Sequence, residues 1–324
     1  MKLLKTGVIG TGHMGRNHVR NIAQETGRFD FVGIYDSNAE QAKKIAAQYS
    51  VRAYDSMDEL LDAVDAVVVA VPSSLHKEVG LKAAEHNVHA LIEKPLATTI
   101  GDAEAINEAF ASRGLKLAVG HIERCNSVIT ELRKILDPDD PVYLEIHRYS
   151  PFSGSGRITD TGVVEDLMIH DVDLACYLLG NRNIESVHGL GEQVRSGNID
   201  FATAMLEFTG GAHAVICASR ISQEKERSLV IHTPDTCIRA DLINRTLIIS
   251  RNTDMSFEGQ LDNTYTQAGV VERIFVPIEE PLNRELISFY DSVINDRPVV
   301  ASGSVGIRAI RICEEVLKDI HNRK

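Results

Sequence analysis

Short apolar runs alternate with polar, helix-like segments through the first 121 residues of the chain. After Asp65, the run at 65–71 is continuously apolar, as in a strand buried on both faces, whereas 38–50 has the spacing of an amphipathic helix. This alternation predicts an α/β fold, a doubly wound parallel sheet with helices on both faces. The strands are expected at 5–12, 29–36, 65–71, 89–95 and 115–121, and the helices at 12–26, 38–50, 58–64, 75–86 and 100–114.

The pattern changes beyond residue 121. A strong helix is expected at about 163–179, after a segment rich in glycine and serine at 150–162. Closely spaced alternating runs then predict an α+β domain with a large, mostly antiparallel sheet. We therefore expect two domains, 1–121 and 122–324, with the terminal helix at 303–321 placed to pack back on the first. The strands are expected at 185–194, 200–209, 212–221, 228–234, 236–250 and 271–278, and another helix at 283–295.

Composition excludes several classes of partner. The 324 residues carry a net charge of −12 and have no run rich in Lys and Arg, which argues against nucleic acid. No apolar run reaches the roughly 18 residues that a membrane-spanning helix requires, and the N-terminal sequence lacks the pattern of a secretory signal. Five dispersed cysteines without a CxxC pair indicate reduced thiols. A cytoplasmic protein is expected.

A glycine-rich segment, GTGHMG at 10–15, has the spacing GxGxxG between a predicted strand and a predicted helix, and Asp36 ends the next strand. This arrangement is typical of a Rossmann dinucleotide site, where the helix N-terminus binds the pyrophosphate and the carboxylate binds the ribose. A carboxylate there repels the 2′-phosphate of NADP, so NAD is expected. A glycine turn that binds nothing, and an Asp36 that merely caps a helix, are the alternatives. The expected cofactor contacts here are Gly10, Gly12, His13, Met14, Gly15 and Asp36.

Three further segments, 69–76 (VAVPSSLH), 93–95 (EKP) and 165–173 (EDLMIHDVD), follow the glycine segment along the chain. In this order and at these separations they resemble the Gfo/Idh/MocA family of oxidoreductases, and the resemblance extends over nearly the whole chain. It implies hydride transfer between NAD and a secondary alcohol of a sugar or polyol, and a cis bond before Pro95. The implied catalytic set is Lys94, Asp166 and His170, and the further cofactor contacts are Pro72, His76, Glu93 and Lys94.

The chemistry of these side chains suits that reaction. Oxidation of an alcohol needs a base for the hydroxyl proton, and an imidazole such as that of His170 takes up protons near neutral pH. Asp166 lies four residues earlier, on the same helix face, and the ammonium of Lys94 can polarise the reacting oxygen. The plainer alternatives are a surface lysine and a solvated polar stripe on an amphipathic helix. No set of ligands at usable spacing indicates a metal.

Other parts of the resemblance bear on the substrate. The segment 120–127 resembles a family segment in which Arg124 and Asn126 face the substrate, although Cys125 and Ser127 depart from the family pattern. The stretch 147–173 resembles members that oxidise the 3-hydroxyl of a UDP-linked N-acetyl amino sugar. There Arg148 and Arg157 could clamp a diphosphate through paired guanidinium donors. Surface ion pairs are the alternative for both arginines.

Three functions therefore remain open on sequence grounds: a sugar-nucleotide dehydrogenase, an inositol or free-aldose dehydrogenase, and a non-catalytic sensor of NAD or sugar. The resemblance also implies a homodimer or homotetramer formed through the C-terminal sheet. We expect the apolar positions of that sheet's outer face to include Ala204, Leu206, Phe208, Val215 and Cys217.

Overall fold

The computed structural model describes residues 2–137, 141–152, 161–180, 182–252 and 269–323. The chain divides into two compact units. The first comprises 1–125 and 279–311, and the second comprises 126–278 and 312–324. The first unit thus extends past the expected boundary at 121 and includes a late segment that the sequence analysis assigned to the second domain.

The first unit is built on a six-stranded parallel sheet with the strand order β3-β2-β1-β4-β5-β6. This is the doubly wound order whose ligand crevice lies at the carboxyl ends of β1 and β4, where the strand order reverses. The strands are β1 Leu4–Ile9, β2 Phe29–Tyr35, β3 Arg52–Ala53, β4 Ala66–Val69, β5 His89–Glu93 and β6 Leu117–Gly120. The helices between them are α1 His13–Gln24, α2 Ala39–Tyr49, α3 Met57–Leu61, α4 His76–Glu85 and α5 Ile100–Ala111.

The second unit contains an eight-stranded sheet in the order β14-β13-β12-β11-β7-β10-β9-β8. All neighbours are antiparallel except β7 and β10, which are parallel. A π-helical turn at Val164–Met168 leads into α7, Ile169–Leu178. The other elements are α6 Ser127–Ile135, β7 Tyr143–Tyr149, β8 Ile184–Glu192, β9 Phe201–Phe208, β10 Ala212–Ser219, β11 Glu226–His232, β12 Thr236–Asp241, β13 Thr246–Asn252 and β14 Gly269–Ile274.

Two helices close the chain, α8 Pro281–Ile294 and α9 Gly303–Asn322. Helix α8 belongs to the first unit because its apolar face enters that unit's core. Tyr290 packs edge-on against Phe29 of β2 and donates a hydrogen bond to the carbonyl of Lys2 at 2.6 Å. Helix α9 begins in the first unit and ends in the second.

The structure differs from the expected elements in four places. The run at 236–250 is a hairpin of β12 and β13, because Asp241 accepts hydrogen bonds from the backbone of Ile243 and Asn244 and so turns the chain. Strands β3 and β7 and helix α6 were not anticipated. No helix within the described ranges is long and apolar enough to span a membrane.

The outer face of the second sheet also differs from the expectation. Ala204, Leu206 and Phe208 are fully buried within the unit, whereas Met205, on the opposite face of β9, is exposed. Val215 pairs with Met205, so it lies on that open face. The expectation for Ala204, Leu206 and Phe208 was wrong, because alternation alone identifies two faces of a strand without saying which of them is covered.

Candidate active site

The glycine loop after β1 has the geometry of a dinucleotide cradle. Gly10 has a φ of 88°, and a Cβ there would lie 2.6 Å from the carbonyl oxygen of Ala70. A Cβ on Gly15 would lie 1.9 Å from the carbonyl oxygen of Gly10, so only glycine lets α1 approach the strand. A Cβ on Gly12 would meet no described atom within 4 Å. The backbone at Gly12 is therefore open to a ligand at the N-terminus of α1, as pyrophosphate binding requires.

The side chains of this loop complete the fit to NAD. His13 and Met14 form the first turn of α1, where His13 is exposed and Met14 is half-buried. Asp36 follows β2, and its Oδ2 accepts hydrogen bonds from the backbone and the hydroxyl of Thr11 at 2.6 and 2.7 Å. The cap of α2 is Asn38, whose side chain accepts from Gln41. The helix-cap interpretation of Asp36 is therefore wrong, and its carboxylate is held beside the glycine loop where a ribose would lie.

The ends of β4 and β5 lie beside the loop on the same edge of the sheet. Strand β5 is the second neighbour of β1, so its end lies roughly 10 Å from the loop at the usual strand spacing. The Lys94–Pro95 peptide bond is cis, as the resemblance implies, and Lys94 is half-buried. Pro72, beyond the end of β4, is exposed. A dinucleotide that crosses β4 from the glycine loop therefore reaches the neighbourhood of Lys94.

His76 is placed differently from the expectation of a direct cofactor contact. The ring is 1 % exposed, and its Nδ1 and Nε2 lie 2.8 and 3.0 Å from the carbonyl oxygens of Pro95 and Val71. Burial lowers the pKa of His76 more than its backbone hydrogen bonds raise it. His76 thus joins the segments that follow β4 and β5 and is not available to the cofactor.

Glu93, at the end of β5, is also an interior residue. Its Oε1 lies 2.7 Å from Nε2 of the fully buried His18. Burial raises the pKa of Glu93, but the hydrogen bond and charge of His18, with the charges of Lys94 and His76, outweigh it and lower the pKa overall. We therefore infer that the ionised carboxylate of Glu93 supports the end of β5 and does not contact the cofactor.

The second unit contains Asp166 and His170. Asp166 lies within the π-helical turn, and such turns are frequent at functional sites. It is half-buried, and an oxygen of its carboxylate lies 3.9 Å from Nη2 of Arg220. His170 is half-buried at the start of α7, one helical turn further along. The solvated-stripe interpretation is wrong, because Asp173 on the same face is only 2 % exposed.

Besides Asp166 and His170, four substrate contacts are expected, and three of these residues have structural partners. Arg124 is 6 % exposed and donates to the carbonyl of Val300 at 2.9 Å. Asn126 is 5 % exposed and caps α6 by accepting from Val128. Arg148 is 1 % exposed, and its Nε and Nη2 donate to the Asp171 carboxylate at 2.8–3.0 Å. Because these side chains are buried on protein groups, the expectation that they contact substrate finds no support. Arg157 lies outside the described residues.

Two polar residues of these sites were missed on sequence grounds. His18 lies three residues after Gly15, on the face of α1 that meets the sheet. The available signal was a histidine on the buried face that also carries Val19 and Ile22. Arg220 follows β10 and carried no signal, because its proximity to Asp166 arises only on folding. The described residues contain no group of three or more His, Cys, Asp or Glu side chains able to hold a metal.

Comparisons with known proteins agree with this geometry. A model described as an oxidoreductase family with an NAD-binding Rossmann fold (GFO_IDH_MocA) matches residues 4–121, and a GFO/IDH/MocA C-terminal domain model matches 140–238. The chain is 34% identical over 316 residues to UDP-N-acetylglucosamine 3-dehydrogenase of Acidithiobacillus ferrooxidans, covering 97% of this chain and 96% of that protein. A solved structure of that enzyme matches with a TM-score of 0.90 and 33% identity, covering 99% of both chains. Over 233 residues, 68% of each protein, the chain is 27% identical to scyllo-inositol 2-dehydrogenase (NAD(+)) of Bacillus subtilis.

Proposed function

Since the chain belongs to the GFO/IDH/MocA family of NAD-binding oxidoreductases, we propose that it oxidises the 3-hydroxyl of a UDP-linked N-acetyl amino sugar. The observation that carries this substrate class is the 34% identity to UDP-N-acetylglucosamine 3-dehydrogenase, because it extends over 97% of the chain. The specificity of such enzymes depends on the second domain, and the similarity includes that part of the sequence. NAD, the cofactor, supplies the hydride acceptor when it is bound at the glycine loop.

The residues of the chain have distinct roles in this proposal. The backbone at Gly12 binds the pyrophosphate, and Asp36 accepts the ribose hydroxyls. His170 is the general base that removes the proton of the reacting hydroxyl. Lys94 donates to the oxygen of that hydroxyl and stabilises negative charge on it as the proton leaves. Asp166, one helical turn from His170, orients the imidazole.

Paired guanidinium donors suit the diphosphate of the substrate, and Arg157 remains the candidate. An Arg157→Ala variant should raise KM for a UDP-sugar by about tenfold, the effect of losing roughly 1.4 kcal/mol of charge-assisted hydrogen bonding. Its KM for NAD should not change. An unaltered KM for the UDP-sugar would remove Arg157 from the proposal.

A substrate screen tests the proposed reaction directly. Purified protein is incubated with NAD and, separately, UDP-N-acetylglucosamine, free N-acetylglucosamine, glucose and myo-inositol, and NADH formation is followed by absorbance. We expect turnover only with the UDP-sugar, together with a product that has lost one H2 by mass spectrometry and still carries UDP. Lys94→Ala should bind NAD and lose turnover. Turnover of free sugars in preference to the UDP-sugar would refute the substrate proposal.

The second candidate is an inositol dehydrogenase, which is favoured by the 27% identity to scyllo-inositol 2-dehydrogenase. It uses the same residues for the same chemistry, and the screen separates the two because myo-inositol lacks a diphosphate. A wild-type protein that binds NAD but turns over none of these compounds would favour the third function, a non-catalytic sensor.

The remaining parts of the proposal concern assembly and location. We propose a cytoplasmic homodimer or homotetramer that covers the open face of the second sheet, where Met205 is 37% exposed and Val215 lies beside it. Light scattering measures the oligomeric state. A Met205→Glu variant should shift it towards monomers, and a monomeric wild-type protein would refute this part.

A further inference from the structure

Lys94 lies between two residues that are each held by a buried histidine of the first unit. On its N-terminal side, Glu93 pairs with Nε2 of His18 at 2.7 Å. On its C-terminal side, the carbonyl oxygen of Pro95 lies 2.8 Å from Nδ1 of His76. His18 is on α1 and His76 begins α4, so the chain around the lysine is fastened to two helices.

The His18–Glu93 contact leaves the carboxylate little freedom to move. A Cβ on Gly120 would lie 2.9 Å from Oε2 of Glu93, so the carboxylate fills the space between the imidazole ring and the backbone of β6. Nδ1 of His18 is buried and has no hydrogen-bond partner among the described residues. The contact of this ring with the carboxylate is therefore made by Nε2 alone. Breaking such a pair leaves a buried carboxylate without its donor, which is costly.

The His76 contact is equally enclosed. The ring is 1 % exposed and lies between the carbonyl oxygens of Pro95 and Val71. Both histidines hold groups adjacent to Lys94, and neither ring is accessible to a substrate. Their effect on Lys94 is therefore indirect and acts through the position of its backbone.

We infer that His18 and His76 are positioning residues for the proposed dehydrogenase reaction, and that they hold Lys94 from its two neighbours so that its ammonium meets the reacting oxygen. This inference rests on the proposed function of Lys94. Catalytic groups are productive only within about 0.5 Å of their working position. A displacement of about 1 Å is enough to lower turnover by about a hundredfold.

Amide substitutions at position 18 separate positioning from general packing. The amide nitrogen of Gln is three bonds from Cβ, like Nε2 of His, whereas that of Asn is two bonds from Cβ, like Nδ1. His18→Gln should therefore keep the donor to Glu93 and retain kcat within a fewfold of the wild type. His18→Asn should lower kcat by about tenfold to a hundredfold with little change in KM for NAD.

Position 76 should respond in the opposite sense, because there the ring atom beside the Pro95 carbonyl is Nδ1. His76→Asn should retain kcat, and His76→Gln should lower it. A purely structural role would lower stability in all four variants without this crossed pattern in kcat. Equal losses with both amides at either position, or the reversed pattern, would overturn the inference.

A matched control is His89, at the opposite end of β5. It is half-buried, and its Nδ1 accepts from the backbone N–H of Lys116 at 2.9 Å. His89→Gln should lower stability and leave kcat unchanged. A loss of kcat equal to that of His18→Asn would show that any damaged histidine of this unit has the same effect, which would also overturn the inference.

Crystal structures of the His18→Gln and His18→Asn variants give a readout that does not need turnover. The Cα of Lys94 should move by more than about 0.5 Å in the Asn variant only. An unmoved Lys94 overturns the inference whether or not the enzyme is active. An inactive wild type, or a Lys94→Ala variant with normal turnover, refutes the proposed function instead. The coordinates then still decide whether His18 holds this segment.

Discussion

Asp36 and Thr11 are joined by two hydrogen bonds to one carboxylate oxygen, from the threonine N–H at 2.6 Å and from its hydroxyl at 2.7 Å. The residue after β2 is thereby fixed to the glycine loop after β1. Oδ1 accepts a third bond, from the N–H of Asn38 at 2.8 Å. A carboxylate has about four acceptor sites, so capacity remains for a ribose hydroxyl. The cofactor's ribose therefore meets an acceptor that is already in place.

Asp36→Asn should weaken NAD binding and reduce the preference for NAD over NADP. The substitution removes the charge that repels a 2′-phosphate and weakens the charged hydrogen bonds to the ribose, worth about 1.5–3 kcal/mol each. KM for NAD should rise by about tenfold or more, as measured by steady-state kinetics with both cofactors. Asp30→Asn, at the exposed start of the same strand, is the control. An unchanged ratio of the two cofactors' kcat/KM would contradict the assignment.

Gly12→Ala should abolish NAD binding without unfolding the protein. Gly12 has a φ of −63°, which alanine adopts readily, and the added methyl meets no described atom within 4 Å. The methyl instead occupies the space through which the pyrophosphate approaches the backbone. Calorimetric titration with NAD and thermal unfolding test the two halves of this prediction. Gly101→Ala, also without described neighbours within 4 Å, is the matched control and should bind NAD normally.

Arg148→Ala should destabilise the protein by about 3–5 kcal/mol, because it leaves the Asp171 carboxylate buried without its partner. The double variant Arg148→Met/Asp171→Leu should recover much of this loss, since it removes both charges. Urea denaturation measures both values, and Arg239→Ala, at an exposed position of β12, should have little effect. A stable Arg148→Ala variant with a raised KM for a UDP-sugar would instead favour the diphosphate clamp.

Glu285→Gln should become more stabilising as the pH rises. Burial and the charge of Glu93 raise the pKa of Glu285 well above its ordinary value of 4.5. The folded protein therefore holds this proton more tightly than the unfolded chain, and the free energy of unfolding falls as pH rises from the ordinary pKa to the folded one. Glutamine has no proton to lose, so its advantage should grow by up to about 1.4 kcal/mol per pH unit in that window.

Chemical denaturation of wild type and Glu285→Gln between about pH 5 and about pH 8 measures this difference. The exposed Glu108→Gln substitution on α5 should give curves parallel to those of the wild type. A constant difference between wild type and Glu285→Gln across the pH range would mean that Glu285 is ionised in the folded protein.

Much of the first unit could be predicted because its signals are local. Apolar runs such as 65–71 identified buried strands, and the glycine spacing with Asp36 identified the loop whose geometry the structure confirms. Helix α8 was assigned to the wrong unit, because an amphipathic helix carries an apolar face without specifying its partner. Tyr290 finds its partner in Phe29, which lies more than 250 residues away along the chain.

Side-chain roles were harder to predict than elements. Arg124, Asn126 and Arg148 have the polar groups that a substrate contact needs, but the same groups serve a buried carbonyl, a helix N-cap and a carboxylate. Which of these a polar group meets depends on what folding brings within about 3 Å of it. The same limit explains why His18 was missed, since its partner Glu93 is 75 residues away.

The amino-acid sequence by itself determined the class of each unit and the nucleotide loop. The periodicity of apolar residues and the spacing of the glycines are patterns within a few consecutive residues, so no tertiary contact is needed to recognise them. It also determined which groups have the chemistry to transfer protons. Only the tertiary structure decided which polar groups are enclosed, such as Glu93, His76 and Arg148, and which, such as Asp36, keep open acceptor sites. Burial and hydrogen-bond pairing are properties of residues distant along the chain, and they exist only once the sheets and helices have packed.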